Sequence, residues 1–215
     1  AAPDRRGVMS FSSRDSAAGS RGMASIILAC SHASHSLDSS SYFVFAQAAT
    51  PCTNIPKLAR SEGYDLRFAL VAYRDHAPQD TTFVTRVFDF TADAATFQQH
   101  VDWMSAQGGG DGPEAVAASL AACVAMPWRP AATKVVVHIA DAPPHGLGER
   151  GDGFPDGCPD GHDPLLTATE MLQRSLACYT PRCEPALARG ERLEHALECA
   201  VLRSGRRTQT QGLPR

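Results

Sequence analysis

The most constraining stretch is Val135-Val136-Val137-His138-Ile139-Ala140, apolar at nearly every position and β-branched at most of them. A run like this reads as a central parallel strand covered on both faces, because a strand with one wet face would alternate. It stops at Asp141, and Pro143-Pro144 prevents continuation as strand or helix. A carboxylate at the end of a buried strand requires compensating charge or hydrogen bonds.

The surrounding elements fit one open α/β sheet. Leu66 to Tyr73 and Phe83 to Phe90 read as strands joined in a hairpin, and Leu176 to Thr180 as one more. Phe97, Val101 and Met104 mark a helix after an N-cap at Thr91 or Asp93. Val116, Leu120, Cys123 and Val124 recur on one helical face, and Pro164 opens a further helix to about Ser175. Alternating strands and helices imply a Rossmann-like, mostly parallel sheet with helices on both faces.

The ends read differently. Residues 1–22 are rich in Ser, Ala, Gly and Arg and are expected to be disordered. Ala24 to Cys30 suits a short strand at most, Ser31 to Ser41 reads as a loop, and Tyr42 to Ala59 as an interrupted helix. Residues 188–215 form an arginine-rich tail with a weak amphipathic pattern at Leu193, Leu197 and Val201.

With 215 residues, one domain plus tails is expected. A net charge of -3 leaves no basic excess for nucleic acid. No apolar run has the ~18 to 20 residues of a membrane-spanning helix. The seven cysteines contain no Cys-x-x-Cys pair and read as buried, reduced thiols, which slightly favours a cytoplasmic over an extracellular setting.

A second junction lies at Gly108-Gly109-Gly110-Asp111-Gly112-Pro113-Glu114. Three glycines end the preceding element, and Pro113 suits the first helical position, which puts Glu114 in the opening turn. Glu114 there either complements the helix N-terminus or ligates a cation, and Asp111 either caps the helix or holds an adjacent metal. No Gly-Lys-Ser/Thr follows, so a phosphate-binding P-loop is excluded.

Taken together, Gly108 to Ala118 and Val135 to Asp163 resemble a von Willebrand factor type A domain, of the variety found in integrin β subunits and linked to alpha-type protein kinases. The likeness is clear over residues 64–187 and extends to a domain over 24–187. It implies a metal-ion-dependent adhesion site at the carboxyl edge of the sheet, where Mg²⁺, or Ca²⁺ or Mn²⁺, accepts an acidic residue from a protein partner. The family's Asp-x-Pro-Glu appears as Asp111-Gly112-Pro113-Glu114, and its strand-ending Asp as Asp141. The implied ligands are Asp111, Glu114 and Asp141. The first family motif, Asp-x-Ser-x-Ser, is matched only in part by Asp38 and Ser40, with Tyr42 in the place of the final Ser and no clear strand before it. Both ends depart from the family pattern, and the site is expected to be weakened.

The resemblance implies a binding domain rather than an enzyme. Its alternatives are a regulatory or targeting fragment of an alpha-type serine/threonine kinase, or a metal-assisted hydrolase. Asp75 and His76 read first as plain hairpin residues, and second as supports beside a metal. The aspartates at 152, 156, 160 and 163 lack an EF-hand register and read as a solvated loop. His145 lacks a nucleophile motif to serve as a base, and His138 reads as a satisfied core residue.

Overall fold

The computed structural model describes residues 22–31, 63–105, 110–140 and 142–180. They form strands β1 (Met23–Ser31), β2 (Asp65–Tyr73), β3 (Thr85–Thr91), β4 (Thr133–Ile139) and β5 (Leu176–Tyr179). The helices are α1 (Ala94–Asp102), α2 (Val116–Ala125) and α3 (Pro164–Gln173). The sheet order is β3-β2-β1-β4-β5. Only β3, at one edge, is antiparallel to its neighbour.

The first strand corrects the sequence reading. β1 is not marginal but central, pairing in parallel with β2 from Met23↔Asp65 to Ser31↔Tyr73, and with β4 from Ala24↔Thr133 to Cys30↔Ile139. It is inconspicuous because Ala24, Ser25, Ala29 and Cys30 are small, so its apolar content sits in Ile26, Ile27 and Leu28. Small residues suit a strand enclosed on both sides.

Alternation along β1 separates two cores. Ile27 and Ala29 face Val116, Leu120, Cys123 and Val124 of α2 and Met171 of α3. Leu28 and Cys30 face the other way, toward Phe97 and Val101 of α1. Helices therefore cover both faces, as expected. Asp93 caps α1 by accepting from the Thr96 N–H at 2.9 Å, and Asp163 caps α3 by accepting from Leu165 and Leu166. At the amino end of the sheet, Arg129 donates to Asp65 Oδ2 at 2.6 Å, Ala24 O at 2.5 Å and Ser25 Oγ at 3.1 Å, tying β1 to β2.

His138 is buried and stacked on Tyr73 with centroids 5.6 Å apart. It is not fully satisfied: Nε2 lies 3.5 Å from Ser119 Oγ, while Nδ1 has no hydrogen-bond partner among the described residues. Burial pushes its pKa down to about 4, keeping the ring neutral. Cys30, Cys123 and Cys178 are buried, and burial raises the thiol pKa of the latter two, Cys178 to about 12. No described helix is long and apolar enough to cross a membrane. The expected features at residues 1–21, 32–62 and 181–215 lie outside the described residues.

Candidate metal centre

Three segments meet at the carboxyl edge of the sheet. Arg74-Asp75-His76 leaves β2, Asp111 to Ala115 precedes α2, and Pro143 to His145 follows β4. Backbone bonds stitch them: the Glu114 N–H donates to Pro143 O and the Ala115 N–H to Arg74 O, both at 3.0 Å, with a parallel bridge between Glu114 and Pro144.

These bonds move the start of α2. The helix begins at Val116 with Ala115 as its cap residue, so Glu114 precedes the helix instead of lying in its first turn. Glu114 sits in the parallel bridge to Pro144 and Ala115 has a non-helical ψ of 45°, so the backbone enters the helix only at Val116. Asp111 is likewise not the cap. Its Oδ2 accepts from the Gly153 N–H at 2.5 Å, joining this segment to the loop after β4. A Cβ at Gly153 would crowd the Gln79 amide and stand 2.9 Å from that oxygen, so a side chain there would push the ends of Gln79 and Asp111 aside.

Asp75, Asp111 and His145 are all buried, and each offers a ligand atom within 4.8 Å of the others'. Asp75, read as a plain hairpin residue, is fully buried. Its Oδ1 accepts from the His76 N–H at 2.6 Å and lies 2.7 Å from His145 Nε2. The other ring nitrogen, Nδ1, is 2.8 Å from Asp152 Oδ1. Two carboxylates on two nitrogens call for a doubly protonated ring.

The electrostatics agree. Burial opposes charge on His145, but its bonds to Asp75 and Asp152 outweigh that and raise its pKa. Burial also opposes ionisation of Asp75, and the His145 and His76 donors overcome it, lowering the pKa. Asp152 is lowered in the same way by the Gly146 N–H, His145 and the Phe154 N–H against burial. Asp111 goes the other way: burial raises it, Asp75 adds to the rise, and the Gly153 N–H only partly offsets them.

The result is a division of labour. His145 is consumed as the counter-ion between Asp75 and Asp152, so it positions Asp75 instead of offering a lone pair. Asp75 and Asp111 each spend one oxygen on the protein. Asp75 Oδ2 and Asp111 Oδ1 remain buried and accept no hydrogen bond from any other described residue, and the two carboxyl groups lie close enough to share a proton between them. Such oxygens fit a hard divalent cation, whose charge would offset their desolvation.

Of the expected ligands, Asp111 enters this cluster. Glu114 is buried on the adjoining segment but is not among its three members. Asp141, Asp38 and Ser40 lie outside the described residues. Asp152, expected in a solvated loop, has a side chain only 1% exposed. A second cluster, His76, Cys158 and Asp160, adjoins the first, with the His76 ring 6.0 Å from that of His145.

No family model matches the chain. Over 107 residues, 48% of this chain, it is 38% identical to the alpha-protein kinase vwkA of Dictyostelium discoideum. The match spans 17% of that kinase. It points to kinship with a module linked to an alpha-kinase. The pilus adhesin SpaC of Lactobacillus rhamnosus GG shares the fold at a TM-score of 0.54 and 10% identity, over 87% of this chain and 30% of the adhesin. Ser119 and His138 do not amount to a catalytic pair, since both are buried between α2 and β4 and Ser119 Oγ donates to Val116 O.

Proposed function

We propose that the chain is a von Willebrand factor type A domain that binds a protein partner through a divalent metal, Mg²⁺ by preference. The observation that carries this reading is the buried pair of carboxyl groups on Asp75 and Asp111, each with one oxygen that no other described residue satisfies, held at the carboxyl edge of an open α/β sheet. Asp111, Glu114 and Asp141 are the ligands expected from the motif, and Asp75 joins them. All are hard oxygen donors, which favours Mg²⁺, Ca²⁺ or Mn²⁺ over softer metals. The bound ion supplies an open coordination position for a partner's Asp or Glu. The chain's own part is to fix the carboxylates: His145 orients Asp75, and Gly153 orients Asp111.

Binding to an immobilised library of Asp- and Glu-containing peptides tests this directly. Retention in Mg²⁺ that is lost in chelator and in Asp111→Asn is the expected result; retention indifferent to metal contradicts it.

The 38% identity to part of an alpha-protein kinase supports a second reading, in which the domain is the targeting segment of such a kinase. A fusion of this chain to an alpha-kinase catalytic domain would then phosphorylate a bound partner faster than the catalytic domain alone.

A further inference from the structure

We propose that His76, Cys158 and Asp160 form a second metal site, distinct from the carboxylate centre and selective for Zn²⁺. The three donors come from segments far apart in sequence. His76 follows β2, and Cys158 and Asp160 belong to the loop Gly157-Cys158-Pro159-Asp160-Gly161-His162. One ligand atom from each lies within 4.8 Å of the others. Cys158 Sγ is 3.4 Å from His76 Nε2, while Asp160 Oδ2 is 3.7 Å from the other ring nitrogen, Nδ1, so a cation seated on Nε2 beside the thiolate would take Asp160 only after that exposed carboxylate turned toward it.

The donor chemistry separates this site from its neighbour. Imidazole, thiolate and carboxylate together suit Zn²⁺, whereas Mg²⁺ and Ca²⁺ take oxygen alone. Cys158 is also the one described cysteine outside the buried core. Its loop is shaped by two tight turns, in which the Gly157 N–H donates to Phe154 O and the Gly161 N–H to Cys158 O, both at 2.9 Å. Gly157 at φ 104° and Gly161 at φ 76° adopt backbone that other residues resist. Phe154 sets its ring edge-on to His76 at 5.6 Å and holds the imidazole in place.

The site is graded from inside to outside. The His76 side chain is 5% exposed and that of Asp160 54%. On metal binding the exposed carboxylate would turn in as the third ligand, leaving a fourth tetrahedral position for water or for His162 of the same loop. A filled site would pin the long loop after β4 to the exit of β2. That loop carries Asp152 and Gly153, which hold the carboxylate centre.

Titration of the whole chain with Zn²⁺ in excess Mg²⁺, and with Co²⁺ as a spectroscopic stand-in, tests the proposal. Expected are one saturable Zn²⁺ site and a thiolate-to-cobalt charge-transfer band. Cys158→Ser should abolish the band and weaken Zn²⁺ binding by more than the ~10- to 100-fold that loss of an outer partner costs. Asp111→Asn should keep the charge-transfer band and bind Zn²⁺ far more tightly than Cys158→Ser does, which separates this site from the carboxylate centre. Parent affinity in Cys158→Ser, or loss of Zn²⁺ binding in Asp111→Asn with retention in Cys158→Ser, overturns it. Asp160→Asn keeps the test open should Cys158→Ser fold poorly: unaltered Zn²⁺ affinity in that variant also counts against the site.

Discussion

His145 Nε2 lies 2.7 Å from Asp75 Oδ1, with the two side chains 1% and 0% exposed. The sequence separation of these residues is that between the ends of β2 and β4, so the pair forms only when the sheet does. Asp152 on the other ring nitrogen makes it a buried carboxylate-imidazolium-carboxylate triad. Removing the middle member leaves two buried negative charges uncompensated, which typically costs about 3–5 kcal/mol. His145→Ala should therefore lower unfolding stability by that order in chemical denaturation, and His145→Gln by less. A loss below about 1 kcal/mol would mean that the triad is not charged.

Low pH should act on the core through His138. Its pKa of about 4 in the folded state lies below the ordinary value of 6.5, so the unfolded chain binds the proton first as pH falls. Stability from keeping this ring neutral is intact above pH 6.5 and declines between 6.5 and about 4. The whole effect is on the order of 3 kcal/mol, from ~1.4 kcal/mol per unit. Denaturation midpoints for the parent and His138→Phe across that window provide the measurement. The parent should lose more stability than the variant, and parallel curves would exclude His138 as the cause.

The far end of the sheet depends on Arg129. Its hydrogen bonds to Ala24 O, Asp65 Oδ2 and Ser25 Oγ hold the start of β1 against β2. Because the Arg129 and Asp65 side chains are 25% and 42% exposed, solvent screening limits the ionic part. Arg129→Ala should cost about 1–3 kcal/mol, mainly from carbonyl and hydroxyl groups left unbonded. Hydrogen exchange should show faster opening of Ser25 and Ile26 than of Val136.

Much of this architecture was legible because it rests on periodicity. Val116, Leu120, Cys123 and Val124 announced the buried face of α2, and Val135 to Ala140 announced β4. β1 was underestimated, since a central strand hemmed in by helices can be built from alanine, serine and cysteine, which carry little hydrophobic signal. At the site, Asp111-Gly112-Pro113-Glu114 was readable as a motif. Asp75 was not, because its importance comes from burial against His145, and Arg74-Asp75-His76 ahead of Pro78 looks like any polar turn. Asp152 was hidden by its surroundings, a loop so rich in Asp and Gly that each carboxylate reads as solvated. The one local hint was His145 directly after Pro143-Pro144 at a buried strand's end.

Gly153→Ala probes how the carboxylate centre is held. The added methyl would crowd Gln79 and press on Asp111 Oδ2, so Mg²⁺ affinity should fall roughly 10- to 100-fold, as for loss of a supporting contact, with little change in stability. Gly112→Ala, where a Cβ meets nothing within 4 Å, is the matched control and should bind like the parent.

Calorimetric titration of Mg²⁺ and Mn²⁺ into the parent, Asp75→Asn and Asp111→Asn addresses the central claim most directly. Both substitutions preserve size while removing the charge that faces the proposed ion. Saturable binding in the parent that is weakened at least tenfold in each variant is the predicted result; equal affinity in all three folded proteins would contradict the metal centre.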